Sequence, residues 1–132
     1  MKDSPIAIQT TSSLPFDAAV ARAREAIAKE GMGVLTEIDV QATLKKKLDV
    51  DRPPYLILGA CHPPSAHRSL SAVPEVGVLL PCNVTVSVED GKTVVRAMDP
   101  ASVMALVDSP ELAAVGAEVG AKLRRIVEAC RG

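Results

Sequence analysis

The sequence predicts an α+β fold: a single domain over residues 1–132, with one mixed β-sheet packed by helices and a long C-terminal helix. Strand-like stretches of period two alternate with amphipathic stretches of period 3.6 along the whole chain. The segment "VTVSVEDGKTVVRAM" reads as a hairpin, which argues against a purely parallel, doubly wound sheet. The final residues carry the clearest apolar stripe, Leu112, Val115, Val119, Leu123, Ile126 and Cys130, at spacings of three and four.

"SPIAIQT" is a first strand with Ile6 and Ile8 on one face. Ser12 or Ser13 is placed to cap the helix that follows. Pro15 suits its start, Phe16, Val20, Ala23 and Ile27 form its apolar face, and Gly31 ends it. "MGVLTEIDV" is a second strand, after which Asp39 caps a short helix, "QATLKKKL", expected to turn Leu44 and Leu48 inward. Pro53 and Pro54 close that region. "YLILGA" is then a continuous apolar run of the kind found in a central strand.

Pro63 and Pro64 fit the first turn of a helix that Pro74 stops. "VGVLLPCNVTVSVED" is strand-like throughout, but Pro81 cannot donate to a sheet ladder, so the segment divides at Cys82. Asp99-Pro100 opens a short helix and Ser109-Pro110 the last one. This layer count leaves one sheet face free, which a homodimer would cover.

Composition narrows the function classes. The 132 residues are 48% hydrophobic and carry 15 basic against 16 acidic side chains, so no global field draws the chain to phosphate backbones or anionic membranes. Phe16 and Tyr55 are the only aromatics, too few for base-stacking platforms, and nucleic acid is not an expected partner. The run Lys45-Lys46-Lys47 reads as a solvated helix face. No stretch has the roughly 20 apolar residues of a membrane helix, and "MKDSPIAIQTTSS" lacks a signal peptide's apolar block, so a cytoplasmic protein without membrane contact is expected. Three cysteines with no C-x-x-C spacing signal neither a disulfide framework nor a zinc ribbon.

The chemistry concentrates in two stretches. "YLILGACHPPSAHRSL" brings Cys61, His62 and His67 to a strand-to-helix junction, where free amides and a helix dipole can stabilise a thiolate. "LLPCNV" adds Cys82 and Asn83 beside the bend at Pro81. Cys61, His67 and Cys82 are candidate soft-metal ligands, with His62 and Asn83 as further binding candidates. His67, one turn past Pro63, is the imidazole expected to face Cys61; each cysteine has the alternative of packing as a small hydrophobe. Cys130 falls on the last helix's stripe and reads as core. Glu37 and Asp39 read as a surface charge and a cap. There is no GxGxxG, P-loop, GxSxG or HExxH, which removes dinucleotide binding, nucleotide hydrolysis, a hydrolase elbow and a zincin.

Together "GVLTEIDVQATLKKKL", "YLILGACHPPSAHRSL" and "VGVLLPCNVTV" resemble a bacterial and archaeal family known as a domain of unknown function, the three-hundred-and-second, over about residues 3 to 128. The resemblance implies an α+β fold with a homodimeric tendency and directs attention to Gly59, Cys61, Pro63, His67, Pro81, Cys82 and Asn83. His62 departs from the Asn usual there, keeping a polar side chain but changing its donor and acceptor pattern. The family's function is not established, so the resemblance leaves cofactor and reaction unknown. Two functions remain open: a small-molecule or soft-metal binding protein, and a thiol-dependent enzyme or redox protein using Cys61 or Cys82. In a third reading the thiols are purely architectural.

Overall fold

The structure, a computed structural model, describes residues 1–132. Its strands are β1 (Ala7–Ser12), β2 (Gly33–Asp39), β3 (Tyr55–Cys61), β4 (Cys82–Glu89) and β5 (Lys92–Met98). Its helices are α1 (Phe16–Lys29), α2 (Val40–Leu48), α3 (Pro63–Ala72), α4 (Pro100–Met104) and α5 (Pro110–Ala129). The strands form one sheet in the order β1-β5-β4-β3-β2. Every neighbouring pair is antiparallel, which refines the expected mixed sheet. Asp90 and Gly91, at φ 52° and 75°, make the two-residue turn of the β4–β5 hairpin between Glu89 and Lys92. Two consecutive positive φ values match the right-handed twist of the flanking strands, and "DG" accepts them at little cost.

One pleat of the sheet is the core. Ile8, Leu56, Leu58, Ala60, Cys82, Val84, Val86, Val95 and Ala97 point to the same side and pack against Ala19, Ala23 and Ile27 of α1 and Val119, Leu123 and Ile126 of α5. The predicted α5 stripe is buried along its whole length, Cys130 included. Ser109 caps that helix by accepting from the Leu112 N–H, as Asp39 and Asp99 cap α2 and α4. A smaller cluster of Val76, Met104 and Leu112 lies beside the main one.

Three expectations change. Neither Ser12 nor Ser13 caps α1, whose N-cap is Pro15; the Ser12 hydroxyl donates to the Cys130 carbonyl and accepts from the Leu14 N–H, tying the C-terminus to the end of β1. The residues before Pro81 are not strand: Pro74–Leu79 form a 3₁₀ turn, and a cis Leu80–Pro81 bond leads directly into β4. Leu48 is 66% exposed rather than turned inward, and α2 buries no residue at all. Its apolar spacing is helical, but α2 extends from the edge strand β2, where no second layer waits to receive it. Leu35 and Ile38 of β2 are likewise exposed.

Candidate functional site

Gly59, Ala60 and Cys61 end β3, and Ala60 pairs with Cys82 at the start of β4. Both cysteines therefore sit on adjacent strands at the same end of the sheet. Gly59 is required by close packing on the opposite pleat, because a Cβ there would meet the Thr36 side chain and lie 2.8 Å from Pro81 Cγ. That contact seats the Pro81 bend against β3 and aligns the two motifs.

The chain then turns into α3 with His62 as N-cap residue and Pro63 at the first helical position. This phase fixes which α3 side chains face inward. Ser65 and Ser69 are buried, the Ser69 hydroxyl donates to the Ser65 carbonyl at 2.8 Å, and His62 Nδ1 lies 2.6 Å from Ser65 Oγ. His67, two residues past Ser65, is on the other side of the helix and exposed. The imidazole in the cavity wall is His62, the reverse of the sequence expectation: α3 starts at Pro63 as read, but its inward side carries Ser65 and Ser69, which leaves His67 pointing away.

These elements enclose a cavity of about 30 Å³. Cys61, His62, Ser65 and Ser69 form one side of it, Pro81 and Cys82 a second, and Met104 of α4 with Val115 and Val119 of α5 the remainder. The wall is mostly apolar. Met104 and Gly116 are contributions that sequence reading missed; the only signal was a glycine within the α5 pattern, where the Met104 side chain fits within 3.4 Å of a Cβ position.

The two thiols differ. Cys82 is 6% exposed, and burial, reinforced by the nearby Cys61, pushes its pKa up to about 11, so the thiol is protonated at neutral pH. Cys61 is half-buried, the last residue of its strand, on the opposite pleat from Cys82 but still in the cavity wall. Cys130 is buried elsewhere in the core, its pKa also raised to about 11 by burial. No three His, Cys, Asp or Glu side chains stand close enough together to hold a metal ion. Asn83 is not at the cavity: strand alternation turns it to the opposite face, where it lines a separate groove with Tyr55, Thr85 and Arg96. Glu37 pairs with Arg24 at 2.7 Å and Asp39 caps α2, so neither carboxylate belongs to a site. No helix of the protein is long and apolar enough to cross a membrane.

The comparisons agree with this architecture. The family described as "Domain of unknown function DUF302" matches residues 8–130. A crystal structure of an uncharacterized conserved DUF302 protein from Bacillus stearothermophilus is similar, with a TM-score of 0.88, 28% sequence identity, and coverage of 95% of this chain and 98% of that one. Among curated proteins none matches the chain.

Proposed function

The chain belongs to the DUF302 family, a domain of unknown function, and we propose that in this member the cavity behind the two motifs binds a small, soft ligand. The observation that carries this reading is that "GACHPPSA" and "LPC", 21 residues apart between their cysteines, wall one space. The volume favours a small occupant. About 30 Å³ accommodates an ion or a species of one or two heavy atoms, whereas organic ligands usually take several hundred.

The wall favours one chemistry. It offers sulfur from Cys61, Cys82 and Met104 and an imidazole from His62, with no carboxylate among its residues. Thiolate and thioether donors favour a soft, weakly hydrated cation such as Cu(I) over a hard divalent one. Two thiols with a thioether suit the low coordination number of such an ion, while a tetrahedral zinc set has no support in the surrounding side chains. Cys82 would be the inner ligand and would release its proton on binding, so affinity rises with pH up to about 11.

The test is a titration of the reduced protein with Cu(I) held by a competing chelator, on wild type, Cys61→Ser, Cys82→Ser and Met104→Leu. One equivalent should bind to wild type, with the greatest loss in Cys82→Ser and a smaller one in Met104→Leu. A wild type that competes for none, or a Cys82→Ser variant that binds equally well, defeats the reading.

A thiol-dependent reaction is the second reading, and what favours it is the asymmetry of the cysteines. Cys61 is the thiol that an external reagent can reach, with His62 next to it, whereas protonated Cys82 is a poor nucleophile. A homodimer would have most to gain at the β2–α2 margin, where Leu35, Ile38, Leu48 and Val50 are exposed.

A further inference from the structure

The polar side of the thiol cavity comes from α3. Ser65 and Ser69 line it, both buried, and each hydroxyl is engaged once. Ser69 Oγ donates to the Ser65 carbonyl at 2.8 Å, which uses its only proton and leaves its lone pairs to accept. Ser65 Oγ lies 2.6 Å from His62 Nδ1, which holds the imidazole and leaves Nε2 as the nitrogen that can exchange a proton. Cys61, half-buried, is the reachable thiol beside this pair.

Size and polarity together restrict what can react there. Room of about 30 Å³, enough for one or two heavy atoms, excludes organic disulfides, quinones and bulky hydroperoxides. The lone pairs of Ser69 call for a molecule that donates, and carbon monoxide and nitric oxide have no proton to give. A thiol calls for an electrophile, which water and hydrogen sulfide are not. Hydrogen peroxide has two heavy atoms, two O–H donors and an electrophilic O–O bond, and so meets all three conditions.

We propose that Cys61 reduces hydrogen peroxide in this cavity, with His62 as proton carrier and Ser65 as the positioning residue that fixes its ring. This rests on the thiol-dependent reading of the site and names its substrate. The Cys61 sulfur attacks one peroxide oxygen; an S–O bond forms, the O–O bond breaks, and the other oxygen leaves with the electron pair. His62 takes the thiol proton and passes it to the departing oxygen, so Cys61–SH and HOOH become Cys61–SOH and water. The sulfur is oxidised by two electrons and the peroxide reduced by two. Cys82 lies on the other pleat with its thiol held protonated by burial, so it does not attack the sulfenic acid. A small external thiol does, forming a mixed disulfide and expelling water, and a second equivalent releases Cys61 and the small disulfide.

The experiment exposes the full, reduced chain to hydrogen peroxide, cumene hydroperoxide and iodoacetamide, and reads each cysteine by dimedone trapping and peptide mass. Hydrogen peroxide should sulfenylate Cys61 and neither Cys82 nor Cys130, about a hundredfold faster than it oxidises free cysteine, the gain expected of a placed proton carrier. Cumene hydroperoxide, too large to enter, should show no gain over free cysteine. His62→Gln should lose the gain against peroxide and lose far less against iodoacetamide, whose iodide leaves without a proton. Ser65→Ala should lose about tenfold against peroxide, the effect of one such hydrogen bond, and Ser65→Thr should restore it. Alkylation of Cys61 without a gain for hydrogen peroxide, or an equal gain for both hydroperoxides, overturns the peroxide assignment and leaves thiol chemistry standing. A Cys61 inert to all three reagents removes both.

Discussion

Cys82 and Asn83 are adjacent in the chain and face opposite sides of the sheet. Cys82 joins a packed interior in which Leu58, Val84 and Leu123 are fully buried. Asn83 faces an open groove in which Arg96 is held in place by its hydrogen bonds to Glu89 and Gln9. Strand alternation alone separates the two environments, so one motif serves two surfaces with different physics. On the packed side, substitutions act through volume and desolvation; on the open side, they act through hydrogen bonding and charge.

The largest effect should come from emptying the packed side. Leu58→Ala removes a fully buried side chain from the centre of the sheet and should cost about 3 kcal/mol in denaturant unfolding, with the slope unchanged. An equivalent truncation at the margin, Leu48→Ala, should fall within about 0.5 kcal/mol, because that side chain is mostly exposed. If Leu48→Ala costs as much as Leu58→Ala, the α2 margin is buried in solution by a partner and the contrast between the regions fails.

Cys82→Ser comes next. It places a more strongly hydrogen-bonding hydroxyl in an apolar cavity and should cost about 1–2 kcal/mol, while Cys61→Ser, half-exposed, should cost little. Thermal melts of the two variants would show whether the thiols differ as their burial says. Equal losses would mean that Cys61 is as deeply packed as Cys82.

Titration separates the two sides further. On the packed side, Cys82 and Cys130 have folded-state pKa values raised to about 11 from an ordinary 9.0. Their contribution is complete below pH 9 and is lost as pH rises from there through about 11, since only the unfolded thiols ionise in that window. On the open side, hydrogen bonds from Arg96 and then Ser87 lower the Glu89 carboxyl from 4.5 to about 2. Its contribution is present above pH 4.5 and is lost as pH falls through about 2. This acid effect should be the smallest, because the Glu89 side chain is 39% exposed and solvent screens the pair. Glu89→Gln should flatten the acid limb of a melting-temperature profile and leave the alkaline limb untouched; an unchanged acid limb would place that loss at other carboxylates.

Much of the fold was legible because its signals are local. The α5 stripe, the "EDG" turn and the caps at Asp39, Asp99 and Ser109 each depend on residues within a few positions, and each stands in the structure as read. The errors arose where distant packing decides. Leu48 has helical spacing with no layer above it, and Ser12 serves the C-terminus in place of the helix beside it. The site was half legible. Both motifs could be found in the sequence, but their meeting depends on β3 and β4 being neighbours and on Gly59 admitting Pro81. The exchange of His67 for His62 follows from helix phase: the start at Pro63 was legible, but which side of α3 faces the cavity is set by the packing of Ser65 and Ser69, which no local signal marks. Met104 came from α4, a helix legible at Asp99-Pro100 but with nothing local to place it against the two motifs.

The central claim is that sulfur from the cavity wall holds a soft ligand, and X-ray absorption at the copper edge of protein loaded with one equivalent of Cu(I) tests it most directly. The account predicts a first shell dominated by sulfur, reduced in Cys82→Ser. A shell of nitrogen and oxygen alone, or one unchanged in that variant, would contradict it and leave the cysteines as packing residues.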